Sequence, residues 1–174
     1  DTTSLLNPFT GNPGGDAGSV TLEANDRIEV KGRSKWGDVS RVSSGSIGSG
    51  EAGEVALRAP RILIDEGLVA SMAVAFANGR EGSAGGTITI RAGELVVANG
   101  GQLNASSFIA GPAGSIDVVG RESILVTGEG SGIESRTGGA GAGGDVTLTA
   151  PRIEVNDGGA VSAKSEHGVD GALG

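Results

Sequence analysis

His167 is the single histidine of the chain, and Glu166 and Asp170 lie close enough in sequence to share a metal ion or a proton with it. A metal site wants further imidazoles or converging carboxylates, and a nucleophilic triad wants a hydroxyl or thiol placed beside its base. The sequence around His167 offers neither, so a solvated loop histidine is expected. Asp65–Glu66 and Asn156–Asp157 fall at related turns and invite comparison with a calcium site. The turns between them supply Asn99 and Glu129 at different lengths, short of the roughly six to eight oxygens that calcium takes. The third constellation is Arg33, Lys35 and Trp36, two cations around the only tryptophan. An indole beside cations suits a sugar ring or an acidic partner. The alternative is that Trp36 folds back over an open corner of the core. These three residues are the candidate contact for a host surface, a glycan or a neighbouring cell. No catalytic residue, cofactor or metal ligand is expected.

Two further columns of the repeat are expected to face outward. Arg27, Arg61 and Arg152 recur at one place in the repeat described below, where Glu94 and Ser123 stand in the other copies. Glu29 and Glu154 follow two residues after their arginines, so a solvated face with cross-strand charge pairs is expected. Thr21, Thr89 and Thr147 form a second column, interrupted by Ala56 and Asp117, and ordinary strand preference accounts for it.

What must position these residues is a repeat. A small residue, Gly, any residue and then alternating apolar positions occur five times, with first apolar residues Val20, Val55, Ile88, Ile116 and Val146, at intervals of 35, 33, 28 and 30. A second apolar pair begins seven or eight residues after the first: Ile28/Val30, Ile62/Ile64, Leu95/Val97, Ile124/Val126 and Ile153/Val155. A third, weaker strand opens with one large apolar residue followed by small ones, at Val42, Val69, Leu103, Ile133 and Val161. Turns such as Asn99-Gly100-Gly101 and Asn156-Asp157-Gly158-Gly159 supply the left-handed conformations that sharp corners need.

Three strands of period two per copy, with copies of 28 to 35 residues, define an all-β chain. Its expected form is a parallel β-helix of about five coils and three parallel sheets. At about 4.8 Å per coil, five coils make a rod roughly 24 Å long. Gly-rich turns also favour antiparallel hairpins, but hairpins do not require the same three-part order in every copy. Two insertions, about 31–41 and 72–83, interrupt the period. The second includes Met72, Val74 and Phe76.

Composition agrees. The chain has 174 residues, 34 of them Gly, with no Cys or Tyr and 2% aromatic residues. Val, Ile, Leu and Ala in short alternating runs exclude both collagen and disorder. A net charge of −8 argues against nucleic acid and against an anionic membrane surface. The longest apolar run, Leu68 to Ala77, is too short to span a bilayer. The first methionine is Met72, which points to a processed chain or a segment of a longer one. Leu6 precedes the first repeat motif, and Val161 precedes Ala172, by the same 11 residues. That shared phase leads us to expect further coils or copies at both ends.

The phrases Gly143-Gly-Asp-Val-Thr-Leu-Thr-Ala-Pro-Arg-Ile-Glu-Val-Asn-Asp-Gly-Gly-Ala-Val-Ser-Ala163 and Gly85-Gly-Thr-Ile-Thr-Ile-Arg-Ala92 resemble the repeats of filamentous haemagglutinin-like exoproteins of two-partner secretion. The resemblance runs from about Leu6 to Gly174. It implies a right-handed β-helix, export through an outer-membrane transporter, and a place at the exterior of a Gram-negative cell. The secretion domain of that family carries Asn-Pro-Asn motifs. Here Asn7-Pro8 and Asn12-Pro13 each lack the final Asn, so only shaft is implied and no functional residue is carried over. The expected function is a non-catalytic structural or adhesive rod segment. The alternatives are a fibre subunit that stacks end to end and a carbohydrate-active, lyase-like β-helix enzyme, which would need carboxylates and cations converging in a cleft.

Overall fold

Alternating strands of Val, Ile and Leu bury one face only, and stacking copy on copy buries it against its own kind. The computed structural model describes residues 2–4, 15–48, 50–74, 83–108, 111–139 and 141–165. It is a β-solenoid with no helix among them. The five copies form five levels, joined by about four complete turns of backbone. This is one turn fewer than the five coils expected, because the fifth copy closes no further turn among the described residues.

The first level holds β2 (Val20–Glu23), β3 (Arg27–Lys31) and β4 (Arg41–Ile47). The second holds β5 (Val55–Asp65) and β6 (Leu68–Val74), and the third β7 (Ile88–Ala98) and β8 (Gln102–Asn104). The fourth holds β9 (Ile116–Thr127) and β10 (Gly132–Thr137). The fifth holds β11 (Val146–Thr149), β12 (Arg152–Asn156) and β13 (Ala160–Ser165). A short β1 (Thr2–Ser4) pairs in parallel with β4.

Every ladder between named strands is parallel, and the repeat sets its register. Val20 pairs with Val55, Val55 with Ile88, Ile88 with Ile116 and Ile116 with Val146. The second apolar pair and the third strand stack in the same way. All three expected strand positions are present, but their hydrogen bonds form two sheets rather than three. In levels two to four the first and second strands are one continuous strand bent at a corner, so one ladder carries both faces. They separate only in the outer levels, as β2 and β3 and as β11 and β12. Met72 and Val74, expected in an inserted loop, instead continue β6 opposite Gly45 and Ile47. Phe76 and residues 78–82 lie outside the described residues.

The axis is filled by columns of like side chains. Val55, Ile88 and Ile116 form one, and Ile64, Val97 and Val126 another, each residue at most 1% exposed. A buried aliphatic side chain of this kind contributes about 2 kcal/mol. On the third strand the inner positions narrow to Ser44, Ser71, Ala105 and Ser135, all buried. The hydroxyls donate across the axis to the carbonyl of the repeat glycine in their own level: Ser44 to Gly18 at 2.5 Å, Ser71 to Gly53 at 2.5 Å, Ser135 to Gly114 at 2.6 Å. The small-Gly element is thereby explained. A Cβ on Gly53, Gly86, Gly114 or Gly144 would run into the carbonyl oxygen of the glycine one level before it.

The corner before the third strand uses left-handed backbone as expected, at Asn99 (φ 51°), Asp157 (φ 48°) and several glycines. Level two places Glu66 there instead, at φ 53°. A non-glycine residue in this region costs about 1 kcal/mol, and Asn and Asp offset part of that cost by bonding locally. Glu66→Gly should therefore raise stability by about 0.5 to 1 kcal/mol, seen as a higher urea midpoint at unchanged slope.

Candidate functional site

The loop carrying Arg33, Lys35 and Trp36 leaves the solenoid where β3 ends. Gly32 turns the chain out at φ 86°, and the amide of Ser40 returns to the Gly32 carbonyl at 3.0 Å. Between these points Arg33 and Val39 form the only antiparallel bridge among the described residues. The tip is organised by Ser34, whose Oγ accepts from the amides of Trp36 and Asp38, each at 3.2 Å. Gly37 closes the turn at φ 91°, donating to the Ser34 carbonyl at 3.0 Å. Ser34 and Gly37 therefore present the two side chains between them to solvent.

Trp36 is 80% exposed. It therefore does not fold back over a corner of the core. The Lys35 ammonium sits over its ring, 4.9 Å from the centroid, while Arg33 reaches back to the Gly37 carbonyl at 3.4 Å. The structure thus brings all three residues onto one projection, with a free indole face and a cation beside it. Because the ring touches no core, Trp36→Ala should change unfolding free energy by less than about 0.5 kcal/mol. The emission of this sole tryptophan should match a water-exposed indole in the folded protein and shift little on denaturation. A blue-shifted native spectrum would contradict the placement.

The acidic corners are ladders of neighbouring levels. Asn99 donates to the Asp65 carboxylate at 2.8 Å, and Thr127 to the Asp157 carboxylate at 3.3 Å. No three acidic or imidazole side chains come together as a metal would require among the described residues. His167, Glu166 and Asp170 lie outside those residues.

The arginine column falls in register as expected: Arg27, Arg61, Glu94, Ser123 and Arg152 are successive partners. One pair bridges levels, Arg61 to Glu94 at 3.5 Å. The others stay within a level: Arg27 to its neighbour Asp26 at 3.0 Å, and, two residues apart along a strand, Arg27 to Glu29 at 3.3 Å and Arg152 to Glu154 at 3.1 Å. Lys31 joins Glu29 at 2.8 Å. That hydrogen bond, and the ammonium charge with it, lowers the Glu29 carboxyl from its ordinary value; slight desolvation opposes the shift and Arg27 adds to it. Such exposed pairs contribute little to stability. The threonine column is interrupted as read, and its Asp117 receives Arg91 at 2.5 Å.

Comparisons with protein-family models, with curated proteins and with solved structures find no match. Among the described residues no helix is long and apolar enough to cross a membrane.

Proposed function

We propose that the chain is a structural or adhesive shaft segment of a secreted, cell-surface bacterial exoprotein, without catalytic activity. The observation that carries the reading is the register of the inner columns: the same apolar positions stack from level to level even where the outer corner bulges, so that adding levels lengthens the same axis. Stiffness follows from two parallel sheets sharing one packed axis, each level bound to the next by backbone hydrogen bonds. The haemagglutinin-like repeat phrases and the lack of cysteine suit threading through an outer-membrane transporter. In this reading the Arg33–Lys35–Trp36 projection offers the shaft a lateral contact to a glycan or an acidic surface. Antibodies raised against the chain should label intact cells of the organism that makes it. Label seen only after the envelope is permeabilised would end the proposal.

A second reading, a fibre subunit, has one observation in its favour. Ile153, Val155 and Val161 of the fifth level continue the buried columns yet are 41%, 44% and 37% exposed. A further level from a second copy would cover them. Filaments formed by the purified chain, abolished by Val155→Lys, would support this reading. A monodisperse monomer at high concentration would dismiss it.

A further inference from the structure

The outer corner between the first and second strands is not uniform. Level two turns it with Pro60 alone between Ala59 and Arg61, and level three with Gly93 alone between Ala92 and Glu94; these corners stack in register. Level four needs one residue more. Its Gly120 and Ser123 pair with Ala92 and Glu94, leaving Arg121 and Glu122 as a bulge. Level one is also longer by one: Glu23 and Arg27 pair with Arg58 and Arg61, and Asn25 and Asp26 take up the extra length. Bulges re-aim side chains and bend the edge that carries them. Two of them standing either side of two tight corners make a notch.

The notch is a half-open depression of about 550 Å³, a volume within the range of small-ligand sites. Pro60 and Gly93 form its floor, and Asn25 stands on one wall opposite Arg121 and Glu122 on the other. Glycine lets the two tight corners stack closely, since a Cβ on Gly93 would lie 2.6 Å from the Pro60 carbonyl. Arg58 and Arg91, partners on adjacent levels, line the first-strand side. Arg91 is held by Asp117 and by the Ile90 carbonyl at 3.1 Å. Arg58 and Arg121 make no ion pair among the described residues. With Arg91 neutralised by Asp117, the guanidiniums of Arg58 and Arg121 stand against the Glu122 carboxylate alone, a small local positive excess on a chain whose net charge is −8. The adjoining second-strand side has the opposite character, lined by Asp26, Glu94 and Glu122 around a single Arg61.

We propose that this notch binds an acidic saccharide. The anionic group lies between Arg58 and Arg121, where planar guanidiniums take a carboxylate or sulfate through paired hydrogen bonds. The ring sits over Pro60 and Gly93, and its hydroxyls donate to the carboxylates beyond. The paired character of the site, cationic then acidic, fits a ligand carrying one anion and several hydroxyls on a single small ring. The notch is separate from the Trp36 projection and does not depend on the shaft reading, which cell labelling tests by itself.

The test is calorimetric titration of the whole chain with three probes: trigalacturonate, a sulfated trisaccharide, and neutral maltotriose. One of the two acidic probes should bind, identifying the anionic group, and maltotriose should not. Arg58→Gln and Arg121→Gln should each weaken that binding about tenfold or more, while Arg152→Gln, an exposed arginine outside the notch, leaves it unchanged. Amide shift changes on titration should centre on Gly93 and Arg121, which separates a local site from general charge attraction. The proposal is overturned if neither acidic probe binds at millimolar concentration, or if Arg152→Gln weakens binding as much as Arg58→Gln does.

Discussion

Gly114→Ala is expected to lower stability by about 3 kcal/mol and the thermal midpoint by roughly 10 °C, whereas Gly18→Ala, at the same place in the repeat, should change stability by less than about 0.5 kcal/mol. The difference lies in what each added methyl meets. On Gly114 it collides with the backbone of Gly85 and Gly86, and the Gly86 carbonyl has little room to move because Ile88, two residues on, is already paired with both neighbouring levels. On Gly18 it meets nothing within 4 Å. Relief at Gly114 requires two levels to part, which stretches the neighbouring hydrogen bonds and disturbs the contact of Ser135 with the Gly114 carbonyl at 2.6 Å. Thermal denaturation followed by circular dichroism measures both variants. Equal losses would mean that the glycine is required for backbone freedom and not for close approach.

Ile88→Ala should cost about 3 to 4 kcal/mol. Ile88 is fully buried between Val55 and Ile116, in the middle of its column. The cavity cannot close by rearrangement, because Val55 and Ile116 are each fixed by their own ladder positions. A solenoid level touches only its neighbours, so weakening the third level also weakens the coupling between the first two and the last two. The urea transition should broaden as well as move, with a smaller apparent slope. Amide exchange should accelerate in β7 and β8 before it does in β5. A single steep transition at a lower midpoint would show that coupling extends beyond adjacent levels.

The repeat was legible because stacking selects for it. Val20, Val55, Ile88, Ile116 and Val146 stand over one another, so each position accepts only what its neighbours accept, and the selection appears as periodicity. The merging of the first and second strands was not legible. Ala59-Pro60 resembles a break in sequence, yet the ladder runs through it, since only one residue in the corner goes unpaired. The glycine motif was visible but its cause was not, because the clash depends on the distance between levels. Sequence alone does not decide whether Trp36 faces core or solvent, because the direction in which Gly32 sends the chain is a property of the loop and not of its composition. The notch was half legible. The second apolar pair follows the first after eight residues in levels one and four and after seven in levels two, three and five. That irregularity becomes a depression only once levels one and four are known to flank levels two and three. Arg58, Arg91 and Arg121 then face one space although no motif links them.

The parallel ladders also determine how the molecule bears load. Their hydrogen bonds lie between levels and so point along the long axis. Tension applied between the first level and the fifth therefore opposes them a row at a time instead of shearing many together. Pulled from its two ends, the molecule should lengthen by unwinding its outermost turn, then the next, at a nearly constant modest force. If the chain serves as the proposed shaft, such unwinding would let it yield gradually under a sudden pull and rewind when slack.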